Sequence, residues 1–213
     1  AELLIYREEQ IFWQKGGSIS IEGALRFSGS GGGTSSFCRL VHAGGTVTGE
    51  VRSEGAQLEF GDGAGTATIR SLGGTSWLRS DIPAAVSLTV SSETTNSAAL
   101  SSPTGFRNDG SLTLSSGANS YAYLLLDTGV LANAGTLSVE PGGGGDRQII
   151  GSITNSGTLN INADLTVGLS AAVYTNTGSF NVADGVTFEV NAYGQTFRQD
   201  GGTLNVDGEF LIA

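Results

Sequence analysis

The side chains best suited to chemistry in this sequence are few and scattered. Its 20 acidic residues include Glu22, Glu140, Asp164, Asp184 and Asp207, each at a turn that follows a short alternating segment. Stacked along one corner of a repeat structure, paired carboxylates about 5–9 Å apart could hydrolyse a glycoside. Asp164, Asp184 and Asp207 could equally offer oxygen ligands to calcium. The plainer alternative is a solvated acidic edge that resists aggregation. The one histidine, His42, falls where asparagine or glutamine sits in related segments, so it reads as a surface or ladder residue rather than a base. No Gly-X-Ser-X-Gly elbow supports a serine nucleophile. Trp77, Tyr121, Tyr123 and Tyr193 are aromatics that could stack on sugar rings. Alternatively they pack into a core or on one another.

Other chemistries lose their footing quickly. The calcium nonapeptide is not matched: in Gly142–Arg147, Asp146 comes one residue early and Arg147 stands where the aspartate should. Gly61-Asp62-Gly63-Ala64-Gly65 lacks the Gly-Lys-Ser/Thr of a phosphate loop and reads as a turn. Thr46/Thr48, Thr66/Thr68 and Thr175/Thr177 do not share one repeat position, which argues against an ice-binding threonine ladder. Cys38 is the only cysteine, so it makes no internal disulfide or thiolate metal cluster and reads as a small buried hydrophobe. No cofactor is expected beyond the calcium alternative.

The elements that position these groups follow from composition. Glycine, serine, threonine and asparagine make up about 43% of the 213 residues, with three prolines and no methionine. These residues favour turns and strands over helix interiors. Hydrophobic residues still reach 38%, enough for a core. Ten bases stand against 20 acids, a net charge of −10. That balance argues against nucleic acid and anionic membrane surfaces as partners. No apolar run approaches the ~20 residues of a membrane span, and no signal-peptide pattern is present. The start at Ala1 and the strand-like end at Glu209–Ala213 suggest a piece of a longer protein.

A repeat dominates the second half. Phe106-Arg107-Asn108-Asp109-Gly110-Ser111-Leu112 returns as Leu131-Ala132-Asn133-Ala134-Gly135-Thr136-Leu137, then as Ile153–Leu159 around Asn155 and Tyr174–Phe180 around Asn176. A double-glycine variant closes the series at Phe197–Leu204 and appears early at Phe12–Ile19 and Leu40–Val47, with a weaker copy at Ile69–Thr75. The glycine before Ser/Thr falls at 17, 45, 74, 110, 135, 157, 178 and 202. Each unit continues through alternating residues such as Leu159-Asn160-Ile161 and a Gly/Asp/Asn turn into a further strand.

A unit of ~22 residues cannot bury its own apolar face, but stacked copies can. At ~3.3 Å per residue it traces about 70 Å, three short strands around a filled core, and eight coils spaced ~4.8 Å give a rod about 40 Å long. The expected fold is all-β: a right-handed parallel β-helix of about eight coils of ~21–29 residues, with a β-sandwich as competitor. In register, Asn108, Asn133, Asn155 and Asn176 would form an amide ladder, and the glycine after each would supply a positive φ. Residues 1–14 read as a hairpin or amphipathic cap, and 15–213 as one repeat domain. Ser28–Ser36 and Pro141–Gly145 read as loops, and 75–104 as an irregular, projecting or distorted stretch.

The Asn-Ser-Gly-Thr-Leu-Asn-Ile and Asn-Thr-Gly-Ser-Phe-Asn-Val units resemble passenger regions of bacterial autotransporters and filamentous-haemagglutinin-like adhesins. Gly110–Ala122 faintly resembles autotransporter-associated strand repeats. The resemblance covers 106–213 well and 1–105 loosely. It implies secretion to the extracellular space or bacterial cell surface and a non-catalytic structural rod. Glycans or cell-surface proteins are the partners it suggests. The rival expectation is a carbohydrate-binding or polysaccharide-cleaving β-helix. Uncovered coil ends would also offer unpaired strand edges for self-association.

Overall fold

The computed structural model describes residues 2–5, 9–28, 38–92, 96–117 and 120–213. Most of the expected Ser28–Ser36 loop, together with Tyr6–Glu8, 93–95, Ala118 and Asn119, lies outside the described residues. Among those described there is no helix, and every strand pairing is parallel. The chain is a β-solenoid. Parallel neighbours need a long connection between them, and here the rest of each coil is that connection.

A coil crosses three faces in chain order. In one coil, Leu165–Val167 lies on the first face, Val173–Asn176 on the second and Ser179–Val182 on the third. Each segment pairs with its counterpart one coil away. On the third face one register row runs Ala24, Glu50, Thr68, Ser87, Ser111, Thr136, Thr158, Ser179, Thr203, which is about eight turns. Alternation then sends every second side chain inward. Leu112, Leu114, Leu137, Val139, Leu159 and Ile161 are almost fully buried on that face.

The early coils are tighter than the glycine spacing suggests. Glu50 pairs with Thr68 and Thr68 with Ser87, coils of 18 and 19 residues. The Gly73-Gly74 copy belongs elsewhere: Gly74 pairs with Ala98 on the first face. The position assigned to it is held by Gly65, whose N–H donates to Gly45 O at 3.0 Å. The reason is steric. A Cβ at Gly65 would collide with the Gly45 carbonyl, whereas Gly74 has no close neighbour and needs glycine for its φ of +65°.

The same steric rule corrects the reason for the glycine after each asparagine. Gly110, Gly135, Gly157 and Gly178 do not adopt a positive φ; only the double-glycine variants Gly17, Gly45 and Gly202 do. What demands glycine at 135, 157 and 178 is close approach. A Cβ on any of them would overlap the glycine carbonyl of the preceding coil.

The described residues of 75–104 stay within the coil path. Gly74–Leu78, Val86–Ser92 and Ala98–Ser101 all hold register with their neighbours, and Pro83 and Pro103 occupy turns. The two described strands of the N-terminal segment do not pair with each other as a hairpin. Glu2–Ile5 pairs in parallel with Ala24–Phe27, and Ile11–Gln14 with Arg39–His42. At the far end Thr203–Val206 and Glu209–Ile212 pair on one side only. Leu3, Ile11 and Trp13 at one end, and Leu204, Val206 and Ile212 at the other, are exposed.

Candidate functional site

The repeated asparagines meet in one buried column on the second face. Asn108 Nδ2 donates to Asn133 Oδ1, Asn133 Nδ2 to Asn155 Oδ1 and Asn155 Nδ2 to Asn176 Oδ1, each at 2.7 Å. Each amide also donates to the carbonyl of the Ser/Thr that follows the glycine in the next coil: Thr136, Thr158, Ser179 and Thr203, at 2.9–3.0 Å. An amide is both donor and acceptor, so identical residues in register satisfy one another. Gln199 receives the last bond, from Asn176 Nδ2 at 3.0 Å. The first acceptor, Asn108 Oδ1, is buried without a partner, because the residue paired above it is Ile82. In the early coils the same task falls to other side chains. Gln14 Nε2 donates to Thr46 O at 3.2 Å, and His42 Nε2 lies 3.0 Å from Gly65 O. His42 is thus a buried structural contact, 1% exposed.

A second amide column lies outside, on the third face. Asn205 Nδ2 donates to Asn181 Oδ1 at 2.8 Å and Asn181 Nδ2 to Asn160 Oδ1 at 2.9 Å. Its direction opposes that of the inner column. Buried serines form a further chain at the coil corner: Ser53 and Ser71 both meet Ser76 at 2.9 Å, and Ser92 Oγ donates to Ser116 at 3.2 Å. The sequence signal for the outer amides was the polar residue between the two apolar ones in Leu-Asn-Ile, Phe-Asn-Val and Leu-Asn-Val. The serines carried no repeat signal.

The turn acids are not gathered. The row that starts at Glu140 continues through Asn162 and Ala183 before it reaches Asp207. Asn162 Nδ2 donates to Glu140 Oε1 at 3.0 Å. Asp164 lies in another row and accepts the Thr187 N–H at 2.8 Å, a turn-fixing bond. Asp184 sits in the turn that follows Ala183. No group of three or more His, Cys, Asp or Glu converges on a metal-sized site among the described residues. Arg147 is a buried cation instead: burial lowers its pKa, and the nearby Asp164 and Asp146 charges oppose that shift.

Among the aromatics, Tyr121 and Tyr123 stack with ring centroids 5.6 Å apart. Burial pushes the Tyr123 hydroxyl up, and the neighbouring Tyr121 and Asp146 add to the shift. Trp77 lies on the first face two coils away, half-buried, with the Arg79 guanidinium 5.7 Å from its ring. Tyr193 projects from the turn after Val190 and is 92% exposed. Beside Arg79 an open groove of about 1,020 Å³ runs along three coils, lined among others by Asp62, Ser80, Asp81, Thr104 and Asp109. Asp81 accepts the Arg107 N–H at 2.7 Å and Asp109 pairs with the Arg107 side chain. The groove's carboxylates at 81 and 109 are therefore committed to holding the coil.

Comparison with family models, curated proteins and solved structures returns no match. The class of the molecule, a parallel β-solenoid, stands on its own geometry.

Proposed function

We propose that this chain is a structural, non-catalytic rod of a secreted or surface-exposed bacterial adhesin. The observation that carries the reading is the use of the polar groups. The repeated asparagines, the corner serines, His42, Asp81 and Asp164 spend their hydrogen bonds on the neighbouring coil, and Asp109 spends its own on Arg107 of the same coil. A catalytic site needs polar groups held free and convergent. The resemblance of the repeat to autotransporter and filamentous-haemagglutinin-like passengers supplies the extracellular setting. The test is incubation of the whole chain with a panel of polysaccharides. No turnover is expected; cleavage abolished by a single carboxylate substitution would overturn the proposal.

The groove lined by Arg79 favours a second reading, a carbohydrate-binding face, with Trp77 beside Arg79 at the groove's margin as the residue to stack on a sugar ring. A glycan array would show hits lost in Trp77→Ala if this reading holds. An empty array removes it.

A further inference from the structure

We propose that the outer side of the third face is a lattice-matching surface that binds ice. The inference stands independently of the adhesin reading.

Register creates the surface. On six consecutive coils the third-face strands read Ser87-Leu88-Thr89, Ser111-Leu112-Thr113, Thr136-Leu137-Ser138, Thr158-Leu159-Asn160, Ser179-Phe180-Asn181 and Thr203-Leu204-Asn205, paired in that order with no register shift. Up to Phe180 the apolar residue of each strand is buried and its two neighbours face outward. Both outward columns therefore hold only serine, threonine and asparagine. The protein has a net charge of −10, yet no charged residue falls on these columns between Ser87 and Asn205. The charged residues that share the rows, Glu50, Arg52 and Arg70, all precede it. A search for Thr-X-Thr misses the array, because no one of these strands carries threonine at both outward positions. The pairs Thr46/Thr48, Thr66/Thr68 and Thr175/Thr177 lie outside them.

The hydroxyls of this face are free, unlike the polar groups that tie coil to coil. Among the described residues, the side chains of Thr89, Thr113, Thr136, Ser138 and Thr158 have no hydrogen-bond partner within the protein. The asparagines are joined only to one another, Asn205 Nδ2 to Asn181 Oδ1 at 2.8 Å and Asn181 Nδ2 to Asn160 Oδ1 at 2.9 Å. Side-chain ladders of this kind hold a many-stranded sheet flat. The nearest acid in register, Glu140, lies one step beyond Ser138 at the edge of the array, where Asn162 Nδ2 donates to it at 3.0 Å.

The spacing is that of a lattice rather than a pocket. Like groups recur every ~4.8 Å along the rod and every ~6.6 Å along the strand, over a length of about 24 Å. Threonine is stiff at χ1, so its hydroxyl and methyl repeat with the backbone. Small soluble ligands are held by groups that converge in a concavity, often against an aromatic ring. These columns carry no aromatic ring, and their groups run in parallel rows. A charged surface would call for opposite charge, and the columns have none. The partner that fits is uncharged, periodic in two directions and able to donate and accept at each step. The oxygen lattice at the surface of ice has these properties, with spacings close to those of the array. Waters bridging neighbouring hydroxyls would already sit near lattice sites.

The test grows ice slowly from a solution of the full chain and measures the share of protein taken into the solid. The unaltered chain should be incorporated. Thr136→Lys, in the middle of the array, should be excluded with the liquid, and so should Thr113→Glu one coil away, which shows that the sign of the charge is not the cause. Thr154→Lys, exposed on the outward side of the second face, should partition like the unaltered chain. Circular dichroism checks that each variant keeps its strand content. Exclusion of the unaltered chain from ice overturns the proposal, as does uptake that Thr136→Lys and Thr113→Glu leave unchanged or that Thr154→Lys abolishes equally. Retention on crystalline cellulose, lost in the same two third-face variants and without uptake into ice, would assign the face to a polysaccharide and overturn it as well.

Discussion

The outer row of the third face reads differently at its two ends. From the N-terminus it runs Arg26, Arg52, Arg70, then Thr89, Thr113, Ser138, and ends Asn160, Asn181, Asn205. Three arginines in register repel one another, so the early coils interleave acids: Arg26 pairs with Glu54, and Glu50 holds both Arg52 and Arg70. Three asparagines in register need no such help, because Asn205 donates to Asn181 and Asn181 to Asn160. The comparison shows two ways to stack like on like. A charged column must recruit its opposite from flanking positions, which constrains several residues per coil. An amide column is self-complementary, so the unit can repeat unchanged. The late coils accordingly keep a near-constant length, and the early ones vary.

The sharpest test of this contrast cuts the longest amide column, the buried one on the second face, at Asn133, and the arginine column at Arg52. Asn133→Leu leaves Asn108 Nδ2 without its ladder acceptor and removes two bonds onward, a loss of about 3 kcal/mol of stability at 1–3 kcal/mol per unsatisfied buried group. Arg52→Ala, in a partly exposed ion pair, should cost no more than about 1 kcal/mol. Urea denaturation of both variants checks this, and equal losses would erase the distinction. Next in size, Gly157→Ala forces a methyl against the Gly135 carbonyl and should cost about 1–3 kcal/mol. Gly16→Ala, with open space around it, should stay within about 0.5 kcal/mol. Thermal melts separate the two.

Acid should distinguish the halves more gently. Burial alone would raise the Glu50 pKa, but hydrogen bonds and charge from Arg52 and Arg70 override it, and the folded-state value is lowered. A lowered folded-state pKa means stability present above the unfolded value of about 4.3 and lost as pH falls through the folded one. Below pH ~4.3 amide exchange should therefore accelerate in the early coils, while the uncharged ladders of the late coils keep their protection. The smallest effect is that of salt. Screening should loosen the arginine row by tenths of a kcal/mol and leave the asparagine rows unmoved, as read by the same exchange experiment.

The coil architecture was legible because one short motif carries several constraints at once. Asparagine marks the ladder, glycine the close approach and the alternating apolar residues the interior. Asn108, Asn133, Asn155 and Asn176 could be aligned by eye for that reason. Gln14 and His42 reach backbone carbonyls of the next coil and Gln199 takes the last ladder bond from Asn176, each with a different side chain, so pattern matching alone does not group them. Gly65 was hidden because its neighbours Gly61 and Gly63 look like a turn, yet Gln57–Ala64 is a strand. The acids misled because spacing along the chain is not spacing along the rod: Asn162 and Ala183 intervene in the row that Glu140 begins.

The glycine and asparagine columns also make the coils interchangeable. Excising one whole unit, such as the 21 residues from Thr158 to Gly178, would join Gly157 to Ser179 and bring Asn155 against Gln199 and Thr136 against Ser179, so the amide ladder and the Ser/Thr row keep neighbours of the same kind. Duplicating that unit would do the same in reverse. The length of such a shaft is therefore a quantity that gene rearrangement can adjust in whole steps of ~4.8 Å, without redesigning any surface along the way.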